Sequence, residues 1–473
     1  MNLETMHEPA RNTPVLARPD VLVVGGGIAG LAAAASAARA GASTLLIEQH
    51  GFLGGTLSAV TLGGLCGSYR QVDGELRPVV GGWWRELESR LRAADALGVP
   101  RKSTIVRGVH GIPYDPERLK HVADEWMADT GVDVLTGVLL ADVQCEARHV
   151  KCVLVQTVEG RRAIVPQVVI DASGDAALIA AAFGGMNGGM NSGTHGDTDS
   201  GTTGVSLARE GHLQSPSAMF RMAPVDRVAF GALSRLDLTR LLVEANDAAN
   251  ATDATAVRAP LPRTTVAVFP YMAQGEMHLN ATRVARKDGR WYDITQVRER
   301  AEAEREGRRQ VFDYERVFRE RVAGFGNARV TAMGAMLGVR ESRRIHGDAE
   351  LTEIDVMSGH KPAERIACCA WPVEDHAPGH ETVWRPLPDG NWYGIAYGCL
   401  LPRNLDNVIA AGRCLSATHV AQASARISGA CLAMGEAAGI AAALALNKNN
   451  NVRIDVTRLQ QALRDHGAIL DPQ

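Results

Sequence analysis

The chain opens its pattern with a short apolar run at 21–24, set between Asp20 and a glycine cluster. Four consecutive apolar residues bounded in this way predict a strand buried on both faces. Small residues fill 28–40, and a second apolar run at 44–47 ends on Glu48. This is the strand–helix–strand rhythm of a parallel sheet. Helical patterns follow near 79–96 and 116–128. Alternating stretches at 132–136, 149–157 and 162–171 predict strands, and a helix is expected over 176–183. Residues 184–191 repeat Gly-Gly-Met-Asn, and the polar, glycine-rich sequence up to 203 predicts a flexible loop. The texture changes between 215 and 326, with a strand-like run at 264–269 and a highly charged helix over 295–318 whose outer face should be solvated. Near 332 the chain returns to the first texture. A buried-strand pattern at 407–411 leads to Gly412, and a long helix of small residues starts near Ser428.

The expected fold class is therefore α/β, a Rossmann-like domain (parallel sheet with helices and a β-meander) carrying an inserted α+β domain. The expected boundaries are a disordered N-terminus at 1–17, the first part of the main domain at 18–214, the insertion at 215–330, the second part at 331–448 and a tail with a helix at 449–473.

Gly25, Gly27 and Gly30 form G-x-G-x-x-G between the first strand and its helix, and Glu48 lies 23 residues beyond Gly25. Each part has a physical task in dinucleotide binding. Gly25 makes the tight turn, Gly27 lets a pyrophosphate approach the backbone, and Gly30 lets helix and strand pack closely. The free N–H groups at the helix start hold phosphate charge. Glu48 can accept both ribose hydroxyls and would repel a 2′-phosphate.

Composition narrows the picture. The chain has 473 residues, 46% of them apolar, and a net charge of −3, with no basic stripe, so nucleic acid is not an expected partner. The N-terminus is polar and acidic, with no apolar segment of a signal peptide, which suits a cytoplasmic location. The longest apolar stretch, 427–446, has nearly the length of a membrane span. Its many Gly and Ala residues and Glu436 favour a buried, closely packed helix, and no membrane span is expected. None of the eight cysteines forms C-x-x-C and none sits in a metal-ligand spacing, so no metal is expected and a reducing compartment fits.

Three further segments turn a dinucleotide site toward a flavin. Asp171-Ala-Ser-Gly-Asp175 resembles the Ala-Thr-Gly-type motif of two-domain flavoproteins. The other two are Leu337-Gly-Val-Arg-Glu-Ser-Arg-Arg-Ile-His-Gly347, and the stretch from Ala411-Gly-Arg-Cys-Leu-Ser-Ala-Thr-His through Ile427-Ser-Gly-Ala-Cys-Leu-Ala-Met-Gly-Glu to Ala442. Together with Ser217-Ala-Met-Phe-Arg221 they resemble the FAD-dependent oxidoreductase family, a broad bacterial group related to glutathione-reductase-like and fumarate-reductase-like flavoproteins. The resemblance spans about 20–446 and implies FAD. The implied cofactor contacts are Gly25, Gly26, Gly27, Ile28, Ala29, Gly30, Glu48, Gln49, Gly54, Gly55, Thr56, Val138, Ser173, Gly174, Asp175, Gly412, Arg413, Ser428, Gly429, Ala430 and Cys431. A helix beginning near Ser428–Gly429 would aim its N-terminal N–H groups at the flavin N1–C2=O edge, where charge grows on reduction.

The resemblance also implies a small-molecule substrate between the flavin and the insertion, with O2 or another electron acceptor; a homo-oligomer is compatible with it. The favoured reaction is dehydrogenation. Candidate catalytic residues are His376, His419 and Arg426. His376 lies in Trp371-Pro-Val-Glu-Asp-His and is either a general base or a surface histidine. By looser analogy with fumarate-reductase-like enzymes, His419 and Arg426 would face the substrate and hold a carboxylate or enolate oxygen; the alternative for His419 is a structural hydrogen bond. Arg340, Arg343 and Arg344 with Glu341 are expected in a buried ion network, and Cys66 is either a redox partner or inert. A single fingerprint and no redox cysteine pair argue against a disulfide-reductase arrangement. Gly412-Arg413 stands where aromatic hydroxylases carry Gly-Asp, which argues against the alternative of a flavin monooxygenase. A flavin-binding protein without redox turnover is the second alternative.

Overall fold

In the computed structural model Val21–Val24 is wholly buried because it becomes the central strand, β1, of a five-stranded parallel sheet. The structure describes residues 6–103, 106, 109–186, 204–207, 211–251, 260–377, 381–388 and 391–473. Down the chain, α1 is Ile28–Arg39, β2 Thr44–Glu48, α2 Pro116–Thr130 and β3 Asp133–Thr136. A meander follows, β4 (Leu139–Glu146), β5 (His149–Thr157) and β6 (Gly160–Ile164), before β7 (Val168–Asp171). The insertion holds β8 (Phe220–Ala223), β9 (Ala267–Pro270), β10 (Met277–Asn280), α3 (Val297–Arg321) and β11 (Arg329–Met333). The chain then returns through β12 (Val408–Ala410), α4 (His419–Ala425) and α5 (Ser428–Leu446).

The parallel sheet runs β12-β7-β1-β2-β3, with Val23 beside Ile170 and Leu46. Side-chain alternation sorts β1 between two cores. Val21 and Val23 face α1 and α5, and Leu22 and Val24 face the meander. The result is three layers: meander, parallel sheet, helices.

Two expectations need correction. The stretch 162–171 is two strands in two sheets, not one. Pro166 lies between Ile164 and Val168, and a residue without an N–H ends the ladder of β6 before β7 enters the parallel sheet. The N-terminal segment is ordered before residue 18. Val15–Ala17, between Pro14 and Pro19, pairs parallel with β6 at the edge of the meander. Of the loop expected over 184–203, residues 184–186 instead close the helix Ala177–Met186, and 187–203 lie outside the described residues.

The insertion forms an antiparallel sheet in the order β9-β10-β8-β11. Helix α3 buries Ala303, Gly307, Gln310, Val311, Tyr314, Val317 and Phe318, one stripe at helical spacing, and packs there against Phe220, Met222 and Leu279. Its other faces carry exposed pairs such as Arg309–Asp313.

Helix α5 has 19 residues and a mean hydropathy of 1.7, enough by length and composition to cross a membrane, yet 78% of that stretch is buried inside the protein. Its small residues give the close packing expected of them, and the partner is α1. A Cβ on Gly435 would stand 2.0 Å from the Ala29 carbonyl oxygen, and one on Gly439 would stand 2.1 Å from that of Ala33. The backbones of α1 and α5 therefore touch. Helix propensity favours Gly435→Ala by about 1 kcal/mol, but the clash decides the sign. We expect the substitution to destabilise the protein by at least about 2 kcal/mol and to weaken FAD binding. Denaturant melts and flavin titration measure both.

Candidate functional site

The turn after β1 is built for close approach. Gly25 has φ +108°, and a Cβ there would lie 2.6 Å from the Ala172 oxygen. A Cβ on Gly27 would meet only the Gly55 Cα, at 3.9 Å, so there is room beside the backbone. Helix α1 starts at Ile28 with no side-chain cap, so its first N–H groups are open to an anion. Glu48 is buried at the end of β2. One carboxylate oxygen accepts the Gly26 N–H at 2.7 Å and the other the His50 N–H at 2.9 Å, which fixes the group while leaving lone pairs for hydroxyl donors.

These groups line a cavity of about 1080 Å³. Its wall includes Gly25, Gly27, Ile28, Ala29, Glu48, Gln49, Gly54, Gly55, Thr56, Val138, Ser173, Gly174, Asp175, Gly412, Arg413, Ser428 and Cys431. Four expected contacts lie off the wall. The Gly26 N–H is taken by Glu48. Gly30 packs against the Gly25 carbonyl, where a Cβ would stand 1.8 Å from oxygen. Gly429 faces the Gly67 carbonyl, and Ala430 is buried in the core. Arg413 ties the wall together, with Nε donating to the Gly174 oxygen at 2.9 Å and Nη2 to Asp175 at 2.5 Å. Helix α5 also starts without a side-chain cap. The Ser428 hydroxyl both accepts the Cys66 N–H and donates to the Cys66 oxygen, each at 2.8 Å. A glycine cradle, two uncapped helix starts and a fixed carboxylate fit an extended FAD.

The same cavity has a polar region beyond the cradle. Along Val373–Asp375 and into His376, alternation sends Glu374 and His376 one way and Asp375 the other. His376 is 3% exposed. Its Nε2 meets Glu374 Oε1 at 2.9 Å, and its Nδ1 meets the Thr382 hydroxyl at 3.2 Å. Burial, followed by the charge of Arg340, holds His376 well below its usual pKa, so the ring is neutral. Burial pushes the Glu374 carboxyl up, but the His376 bond and the charges of Arg426 and Arg340 outweigh this and hold it at about 2. An ionised Glu374 can only accept, so Nε2 carries the ring hydrogen and Nδ1 accepts from Thr382. Arg283 donates to the same hydroxyl at 3.0 Å. Glu374, His376 and Thr382 all reach the cavity wall, as do Arg340 and Arg426.

His419 stands elsewhere. It is off the cavity wall, buried between Glu341 Oε2 at 2.7 Å and Asp375 Oδ1 at 3.2 Å, with the His212 ring 4.5 Å away. Its expected contact with substrate is not what the structure shows, because both ring nitrogens are engaged by carboxylates. The expected arginine network also divides. Arg344 pairs with Glu341 at 3.4 Å, whereas Arg340 and Arg343 line the cavity. Cys66 lines the cavity as well, but burial pushes its thiol up to about 12 and keeps it protonated. Sequence reasoning missed Thr382, Arg263 and Gln214, which come from segments without a motif. The partner of His376 was readable from alternation, since residues 374 and 376 share a strand face.

Burial disfavours the His419 imidazolium, but hydrogen bonds to Asp375 and Glu341 outweigh it and raise its pKa to about 9. The folded value lies above the unfolded value near 6.5. The resulting stability, on the order of 3 kcal/mol, is complete below about pH 6.5 and is lost as pH rises through about 9. Wild-type protein should lose this margin over His419→Gln between pH 6.5 and 9.5 in thermal melts. A pH-independent difference would refute the assignment.

A family model described as "FAD dependent oxidoreductase" matches residues 20–463. A search of curated proteins found no match. Among solved structures, the chain is similar to a geranylgeranyl bacteriochlorophyll reductase-like protein from Thermoplasma acidophilum, at 15% identity over 95% of this chain and 84% of that one, with a TM-score of 0.42. It is similar to a triple mutant of the flavin-dependent brominase Bmp2, at 14% identity over 94% and 84%, TM-score 0.43. It is similar to the anhydrotetracycline hydroxylase OxyS from Streptomyces rimosus, at 12% identity over 95% and 68%, TM-score 0.42. With the family match over most of its length, and a cavity whose cradle fits the cofactor, this chain belongs to the FAD-dependent oxidoreductase family.

Proposed function

We propose that the protein dehydrogenates a small organic substrate bound between the cofactor cradle and the insertion, with His376 as general base. The observation that carries this reading is the chain Glu374–His376–Thr382 on the cavity wall, with spacings of 2.9 and 3.2 Å. FAD, when bound, supplies the two-electron acceptor for hydrogen leaving the substrate as hydride, and O2 or another acceptor restores it. The protein's part is to move a proton. A substrate O–H or N–H hydrogen passes to Thr382 Oγ1 as the Thr382 hydrogen passes to His376 Nδ1. Glu374 then stabilises the imidazolium through Nε2–H, and the Arg283 bond to Thr382 makes that hydroxyl a better donor. Arg426, whose Nη2 donates to Gln214 Oε1 at 3.2 Å and the Glu374 carbonyl at 3.0 Å, holds the wall against which the substrate rests.

Anaerobic bleaching of the flavin by a panel of alcohols, amines and hydroxy acids is the direct test. With an active substrate, His376→Gln should slow reduction about 10²–10⁴-fold while leaving the bound flavin spectrum intact, and Thr382→Val should slow it as well. Because the base is held well below its usual pKa, it stays unprotonated as pH falls, and the acid limb of the rate should lie well under 6.5. Unchanged reduction in both variants would overturn the role of the chain. NAD(P)H consumption coupled to an oxygenated product would replace dehydrogenation with monooxygenation, and a flavin that nothing reduces would point to a protein without redox turnover.

A further inference from the structure

The cavity wall gathers buried arginines that have no direct ion pair among the described residues. Arg263 and Arg340 are 5% and 8% exposed, and Arg426 is half-buried, yet all three reach the wall that holds His376. They come from three separate parts of the chain: the approach to β9, the segment after β11, and the C-terminal end of α4. Arg283 sits behind them, also buried.

Among the described residues, their side-chain hydrogen bonds go only to neutral acceptors. Arg340 Nη1 donates to the Ser215 carbonyl at 2.7 Å and the Ser217 hydroxyl at 2.9 Å. Arg426 bonds the Gln214 amide oxygen and the Glu374 backbone carbonyl. Arg263 has one long contact, to Asn280 Oδ1 at 3.5 Å, and Arg283 reaches Thr382. Among the described residues, no carboxylate oxygen lies within 4.0 Å of a nitrogen in these four guanidinium groups. Two acids share that wall with them: Glu374 has one oxygen on His376 and the other on Trp371 Nε1 at 3.2 Å, and Glu381 acts on Arg283 through its charge without a direct contact. The Nε groups of Arg263, Arg283 and Arg426 are buried without an acceptor. Burial and mutual repulsion press down the proton affinity of Arg340, but a guanidinium does not deprotonate in a protein. Arg344, the other arginine buried to this degree among the described residues, differs in having Glu341 at 3.4 Å. A buried cation left unpaired is expensive, and an outside anion relieves the cost.

We propose that this wall is a carboxylate site, and that the substrate is an organic carboxylate anchored by Arg263, Arg340 and Arg426. The proposal rests on the redox reading above for the word substrate, but not for the site. A planar pair of oxygens matches the two-pronged guanidinium donor, and three such donors from different elements enclose it. None of the three belongs to the glycine cradle, so the cofactor phosphates do not account for them. The site would fix one end of the substrate on the wall shared with Thr382 and His376.

The test uses FAD-loaded protein and malonate as probe, with malonamide and sodium chloride of matched ionic strength as controls. Malonate should raise the melting temperature and perturb the visible flavin spectrum, malonamide and chloride should not, and Arg263→Gln should weaken malonate binding roughly tenfold or more. Arg340→Gln should do the same, and Arg263→Lys should recover part of the loss. Retained flavin and a cooperative melt in these variants exclude simple misfolding. No malonate effect beyond that of chloride, an equal effect of malonamide, or loss of flavin affinity in place of malonate affinity would overturn the site. Malonate binding to a flavin that no compound reduces would sink the redox reading and leave the carboxylate site standing. Rapid reduction by neutral substrates, with no malonate effect, would do the reverse.

Discussion

The contact on which the rest depends is backbone against backbone, where α5 lies on α1. Gly435 and Gly439 occupy one face of α5, one helical turn apart, and leave no side chain between that helix and the carbonyls of Ala29 and Ala33. Ordinary side chains hold packed helices 8–10 Å apart. Removing them here brings the uncapped starts of both helices to one cavity. Gly412, with φ +90°, fits into the junction, where a Cβ would stand 3.0 Å from Ala29 Cβ and 3.8 Å from Cys431 Sγ. The two parts of the main domain, separated by the insertion in sequence, are joined at this point.

A second constraint, the alternation of a strand, divides the far wall into two roles. Glu374 and His376 face the cavity as an ionised acid and a neutral base. Asp375 turns behind them to hold His419 as a cation with Glu341. Two histidines with similar neighbours thus have opposite charge states. Burial opposes the charged ring in both; at His376 the Arg340 guanidinium adds to it, whereas at His419 two carboxylates outweigh it.

The nucleotide end was legible because its signals are local. Gly25, Gly27, Gly30 and Glu48 lie within one strand–helix–strand unit, where spacing alone specifies geometry. The late glycine at 412 and the small-residue helix were equally readable as elements, though the sequence does not show that Gly435 and Gly439 meet α1. The polar wall was less legible because it is assembled across the chain. Arg263 and Thr382 reach it from distant segments, and no spacing links either to His376. His419 and Arg340 illustrate the other difficulty. Both were visible as candidates, but which way each side chain points is settled by packing. Pro166 was also visible, and its missing N–H accounts for the split that a continuous apolar pattern conceals.

The Ser428 hydroxyl grips both the N–H and the carbonyl of Cys66, in the first turn of α5. A single side chain thus fastens the loop on one side of the cavity to the helix on the other. Both hydrogen-bonding groups of the Cys66 backbone, its N–H and its carbonyl, are taken by that one side chain. A change in the backbone at Cys66 is therefore felt directly at the start of α5, because both backbone groups of that residue rest on one hydroxyl.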